Sequence, residues 1–439
     1  MKSRQPLLNP PRTLLFLFII VSSLGTILLK IPQATTSSVT WLDAWFTAIS
    51  AITVTGLVVV DTGSVYTVFG QIVIMVLIQL GGLGIMSFAV VIFILIGKKI
   101  GISQRLLISQ ALNQKGMGGI IKLVRSLLVF SILIELIGAL ILSIKWIPTY
   151  GLVKGVYAAI FHSISAYNNA GFSIWSDSLS MFVDDPVVNL VITMLFILGG
   201  IGFTVLIDLK EKKHFRELSL HTKLMVVGSI VINALAFVVI LTLEWNNTAT
   251  LGQLSSGGKG WGAFFQAVSP RTAGFNTIDI GSMEEATLFF MIGLMFIGAG
   301  SASTGGGIKL TTFIAMLLSV NTFLKGKNEV TIFRKTLAFS IIIKALAITV
   351  ISTGVVFVGV FILELTQESS FLVNLFEVVS AFGTVGLSMG LTSSLDAIGK
   401  ITLIVIMMVG KLGPLTLAFI FASKKTPKIR YPEEDVLTG

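Results

Sequence analysis

The chain has 439 residues, 54% hydrophobic and only 12% charged, with a formal net charge of +10. An average soluble domain carries roughly twice that charged share, so a water-soluble protein is excluded and an integral membrane protein is indicated. With no cysteine there is no disulfide, thiolate metal site or cysteine nucleophile, and His162, His214 and His221 show no paired metal-ligand spacing.

In chain order, the first apolar run, 13–29, follows Arg12 as a signal peptide's would. No small-residue cleavage site follows it and Lys30-Ile31-Pro32 interrupts the exit, so it reads as a retained first span. A stretch too short to cross a membrane follows and ends at Gly56. In it Thr40 and Asp43 have capping-box spacing, with Asp in place of the usual Glu, and read as an ordinary helix start. A second long apolar run covers 66–97. The same order then recurs three times. The first spans are 13–31, 122–147, 222–244 and 336–364, and the second spans are 66–97, 186–208, 285–322 and 394–422. The short stretches between them align as WFTAISAITVTGL, IFHSISAYNNAGF, AFFQAVSPRTAGF and LFEVVSAFGTVGL, on Gly56, Gly171, Gly274 and Gly386. Those glycines stand 115, 103 and 112 residues apart, each with a phenylalanine ten residues before it. The units divide as 1–97, 98–208, 209–322 and 323–423, with a tail at 424–439.

Basic residues cluster at Lys2, Arg4 and Arg12, and in Lys98–Arg105, Lys210–Arg216, Lys325–Lys335 and Lys424–Arg430, alternating with nearly neutral loops. This is the positive-inside pattern. It places both termini in the cytoplasm of a multi-pass plasma-membrane protein and assigns the net charge to topology, with membrane lipid as the surroundings and no nucleic acid as partner. Two spans and one re-entrant segment per unit fit that alternation. The expected fold is therefore an all-α membrane protein of four tandem helix–pore-loop–helix repeats, with eight spanning segments and four re-entrant pore helices pseudo-fourfold around one pore.

A glycine at the end of a half-helix takes φ > 0 without steric penalty, and backbone can leave a helix at membrane depth only where it lines a cavity. Four such strands supply rings of carbonyl oxygens that replace the hydration shell of a monovalent cation. The candidate strands are Val54-Thr55-Gly56-Leu57, Asn169-Ala170-Gly171-Phe172, Thr272-Ala273-Gly274-Phe275 and Thr384-Val385-Gly386-Leu387. The helix C-termini that precede them favour cations, and no acidic ring stands beside them.

These strands, with SPRTAGFN in the third unit and SAFGTVGLSMG in the fourth, resemble the Trk/Ktr/HKT superfamily of potassium transporters over essentially the whole chain. The pattern is most like the Ktr membrane subunit of Gram-positive bacteria. The resemblance implies potassium uptake through one carbonyl filter with a single glycine per unit. Val58, Ser173, Asn276 and Ser388 stand where a second glycine would fall, which implies a less regular filter and weaker rejection of sodium. It further implies a homodimer carrying a cytosolic ring of nucleotide-binding RCK-type subunits, and brings in sodium as an activating ion. No enzymatic activity is expected: the spans hold no Ser–His pair, HExxH or paired aspartates. A secondary transporter with inverted repeats is the main rival, yet all four glycine motifs approach from one side.

Below the filter, Gly298–Gly307 interrupts the third unit's second span with five glycines, each costing about 1 kcal/mol in a helix. The resemblance assigns Gly300, Ser301, Ala302, Ser303, Thr304, Gly305, Gly306 and Gly307 to an intramembrane gate. Close helix packing through small residues is the alternative. Lys411, an intramembrane charge, either faces the pore against this loop or snorkels to the interface; related proteins carry Arg there. Glu135, Glu377 and Lys344 read as pairing with one another or capping helices, and His162 as a structural residue at the start of a pore helix. Arg271 reads as loop packing, and Asn168 and Asn169 as bracing their strand through backbone bonds.

Overall fold

The computed structural model describes residues 10–84, 120–301 and 303–414, with 432 and 434. Ala302, the basic clusters Lys98–Arg105 and Lys424–Arg430, Lys2 and Arg4, the tail assigned to 424–439 and the ends of the spans expected at 66–97 and 394–422 lie wholly or mostly outside the described residues.

Among the described residues the fold is helical, with one two-stranded hairpin, Thr331–Ile332 and Lys335–Thr336. The first unit contains α1 (Pro10–Lys30), α2 (Trp41–Thr53) and α3 (Val68–Gly82). The second contains α4 (Ile120–Tyr150), α5 (Leu152–Tyr167), α6 (Pro186–Gly200) and α7 (Phe203–Glu211). The third contains α8 (Leu220–Glu244), α9 (Ser256–Val268), α10 (Glu285–Phe296) and α11 (Leu310–Leu324). The fourth contains α12 (Phe339–Thr366), α13 (Phe371–Gly383) and α14 (Ala397–Leu412). The leading helix of each unit includes a stretch long and apolar enough to cross a membrane: Arg12–Lys30, Val124–Tyr150, Leu220–Glu244 and Phe339–Thr366. Their outer faces carry exposed large apolar side chains such as Phe16, Leu140, Val350 and Phe357, a surface that suits lipid and not water.

Two of the second spans are not continuous helices, the second unit's against expectation and the third unit's as expected. That of the second unit turns by 95° between α6 and α7, where Gly202 adopts φ +102°. That of the third unit is broken between α10 and α11, as its glycines demand. Helix α5 also begins well before the stretch the motif suggested, so His162 lies in its second half and not at its start.

Packing between units is cyclic. The second helix of each unit rests on the short helix of the next: α3 on α5, α6 on α9, α10 on α13, and α14 back on α2. Between the last unit and the first, Lys400 Nζ meets Asp43 Oδ1 at 2.7 Å, both side chains largely buried. Thr40 does cap α2, accepting from the Asp43 amide at 3.1 Å, but the Asp43 carboxylate turns to Lys400 and the Thr40 hydroxyl instead of completing a capping box.

Removing one member of a largely buried, hydrogen-bonded ion pair leaves the other desolvated and alone. Lys400→Met should therefore lower stability by about 1–3 kcal/mol, read as a drop in thermal unfolding temperature of the purified protein. Adding Asp43→Asn should restore part of the loss in a double-mutant cycle.

Candidate functional site

Each short helix delivers a buried strand toward its three counterparts. The strand starts with a non-glycine residue in the left-handed region: Val54 (φ 52°), Asn169 (56°), Thr272 (75°) and Thr384 (49°). Three of these are β-branched, for which φ > 0 is a strained conformation costing of order 1–3 kcal/mol. Two residues later the glycines follow at φ +92°, +68°, +78° and +93°.

Sterics exclude a side chain at these glycines for a second reason. A Cβ on Gly56 would stand 2.4 Å from the Ala170 carbonyl oxygen, and one on Gly171 3.1 Å from that of Ala273. On Gly274 it would meet the Val385 oxygen at 2.2 Å, and on Gly386 the Thr55 oxygen at 2.1 Å. Each unit's glycine thus faces the next unit's carbonyl, and the fourth faces the first: a closed ring of four equivalent carbonyls. Serine hydroxyls brace it. Those of Ser50 and Ser380 accept from the Gly56 and Gly386 amides at 3.1 Å. The Ser165 hydroxyl donates to the Phe172 carbonyl at 2.7 Å, and that of Ser269 to the Phe275 carbonyl.

Further out, His162 and Glu377 occupy equivalent positions nine residues before their glycines. Each bonds a serine two residues after it: His162 Nε2 to Ser173 Oγ at 3.0 Å, and the Ser388 hydroxyl to Glu377 Oε2 at 2.8 Å. Glu135, Glu377 and Lys344 do not pair with one another. Glu135 instead accepts from Gln79 and Asn168 at 3.0 Å, tying α3 to α4 and to the residue before the second strand.

Beneath the ring, the second helices end at a recurring glycine that the sequence analysis passed over: Gly81, Gly199 and Gly410 in units one, two and four. A Cβ there would lie 1.9, 1.8 and 2.0 Å from the carbonyl oxygens of Ile52, Tyr167 and Phe382. Each of those carbonyls lies two residues before its strand's left-handed residue. The signal was present as GGLG, GGIG and GKLG at 81–84, 199–202 and 410–413. In the third unit Gly298 follows the helix, a Cβ on it would lie 2.1 Å from the Gly306 carbonyl oxygen instead, and there the chain runs on as the glycine-rich loop.

That loop is tied to the strand ends. The Thr304 hydroxyl donates to Asn169 Oδ1 at 2.9 Å, Asn169 Nδ2 donates to Thr272 Oγ1 at 3.2 Å, and the Gly306 amide donates to Thr384 Oγ1 at 2.8 Å. Asn169 therefore braces side chains across three segments, not its own backbone. Asn168 does bond backbone, at Ile164 O, as well as Gln79 and Glu135. Lys411 Nζ reaches the Thr304 carbonyl at 2.5 Å, and Lys309, which the sequence analysis did not single out, reaches the Gly305 carbonyl at 2.7 Å. Ser303 bonds Gly300 O at 2.7 Å, and Gly307 turns at φ +69°.

Residues 12–431 match the family model described as TrkH, cation transport protein. The chain belongs to the TrkH cation transport family. This is a family of transporters and not of enzymes. The chain is 56% identical over 431 residues to "Ktr system potassium uptake protein B" of Bacillus subtilis (strain 168), covering 98% of this chain and 97% of that one. It is 43% identical to the protein of the same name from Vibrio alginolyticus, covering 98% and 95%. The crystal structure of the potassium transporter TrkH from Vibrio parahaemolyticus superposes with a TM-score of 0.76 at 21% identity, covering 96% of this chain and 87% of that one. It shows that this TrkH-family chain shares the fold.

The glycine at the foot of the second helix has no room for a methyl group. Gly199→Ala should reduce the yield of folded protein and lower its unfolding temperature. Gly354→Ala in α12, where no atom lies within 4 Å of the added Cβ, should leave both near wild type, checked by size-exclusion chromatography and thermal unfolding.

Proposed function

We propose that this chain is the pore-forming subunit of a potassium uptake system in the plasma membrane. The observation that carries the reading is the closed ring of glycines and carbonyls. In it the strands at 54–57, 169–172, 272–275 and 384–387 act as a selectivity filter, offering carbonyl oxygens in place of the ion's water. The short helices α2, α5, α9 and α13 act as re-entrant pore helices, with their C-terminal partial negative charge toward the ion. The four units, at 1–97, 98–208, 209–322 and 323–423, surround one pore per chain. The names of the relatives as potassium uptake proteins support K+ as the cargo.

The loop 300–307 is the gate of this pathway. Its carbonyls at Thr304 and Gly305 are occupied by the ammonium groups of Lys411 and Lys309, so two tethered cations stand where a permeating cation would pass. In this reading both termini are cytoplasmic and the chain works as a homodimer. A cytosolic RCK-type nucleotide-binding ring moves the loop, and sodium acts as an activating ion.

Gly56→Ser and Gly171→Ser should each lower K+ over Na+ selectivity by about tenfold, equal to ~1.4 kcal/mol, measured as competing uptake in a potassium-uptake-deficient strain. Unchanged kinetics for both ions in both variants would remove the ring from the filter. Deleting 302–306 should raise steady K+ flux and weaken its dependence on the cytosolic partner. Lys411→Ala should change maximal flux more than apparent affinity. A folded deletion variant with reduced, fully partner-dependent flux would return the loop to a packing role.

A further inference from the structure

Arg271 immediately precedes the left-handed Thr272, and its side chain is 9% exposed. Among the described residues its guanidinium makes a single hydrogen bond, from Nη1 to Asn233 Oδ1 at 3.3 Å, while Nε is buried without a partner. None of the ion pairs among the described residues includes it. Arginine stays protonated in proteins, and a desolvated, uncompensated ion costs several kcal/mol. A protein that retains this group has to supply it with an acceptor.

The guanidinium borders a cavity of about 20 Å³ between α6, α8 and the third strand, room for one water-sized particle. Its polar side chains can all donate. Beside Arg271 stand the Ser229 hydroxyl and Asn233, whose Oδ1 is spent on the arginine and whose Nδ2 has no other partner among the described residues. No carboxylate lines it. Phe196, Ile197 and Val268 form its apolar walls, and the enclosed space is small.

We propose that this cavity is a binding site for a single monatomic anion, a halide of chloride's size, held by Arg271, Ser229 and Asn233. A cation is disfavoured by the charge of Arg271, and the small enclosed space favours a monatomic anion over a polyatomic one. A water could accept from two of these donors but would leave the charge uncompensated, whereas the anion cancels it behind the third strand. The site does not depend on the transport reading, because it is argued from burial, volume and donor chemistry alone.

The test uses the full-length protein in detergent. Crystals soaked in potassium bromide should show one anomalous bromide peak in this cavity beside Arg271 and Ser229. Replacing gluconate by chloride or bromide should raise the unfolding temperature saturably, and sulfate should not. Ser229→Val keeps the charge but removes a donor and fills the cavity, and should raise the half-saturating halide concentration about tenfold. Arg271→Gln should abolish the effect, and Ser229→Val carries the test should that variant not fold. A water alone in the cavity with equal stability in all salts would overturn the proposal, as would a halide effect unchanged in Ser229→Val.

Discussion

The structure turns on the impossibility of a side chain at four points. At Gly56, Gly171, Gly274 and Gly386 the backbone has φ > 0, and the space a Cβ would take is filled by a carbonyl from the neighbouring unit. The two requirements reinforce each other, since the left-handed turn brings the strand close enough for its neighbour's oxygen to occupy that space. The rest of the architecture holds the contact. The short helices end where the strands must begin, serine hydroxyls fix the glycine amides or the carbonyls beyond them, and each second helix supports the next unit's short helix. The strain of Val54, Thr272 and Thr384 is sustained because the surrounding bonds leave these residues no other conformation.

Below the ring the units cease to be equivalent. Three second helices press a glycine onto a carbonyl near their own strand, whereas in the third unit the helix ends at Phe296 and Gly298 faces the loop's own Gly306 carbonyl. The loop bonds Asn169 and Thr384 directly and meets Thr272 through Asn169. A displacement of the loop therefore has to break bonds made to two of the four strand ends. A fourfold arrangement is served by a single element, and that element is coupled to it by side chains.

Much of this was legible in the sequence because glycine's role at these positions is local. A motif recurring four times gave the strands, and long apolar runs gave the four leading helices. Relational features escaped. The bend after Gly200 needs the contact of Gly199 with Tyr167 O to explain it, and a helical apolar run looks alike whether straight or bent. Lys309 reads as an ordinary residue after a glycine run until its ammonium is seen on Gly305 O. Glu135 and Glu377 were expected to pair with one another or Lys344 or to cap helices, but amides and hydroxyls 11 to 56 residues away bond them. Arg271 looked like loop packing because sequence shows neither its burial nor its missing partner.

The Lys400–Asp43 pair has a consequence for the order in which the molecule is made. Its two residues are 357 positions apart, and they close the only seam in the ring that joins opposite ends of the polypeptide. A ribosome adding about 5–20 residues per second takes roughly 20–70 s to cover that distance. Throughout that interval the face of α2 that will receive α14 is bare and Asp43 lacks Lys400. The first unit therefore has to remain without its last packing partner until α14 is made and closes the circle.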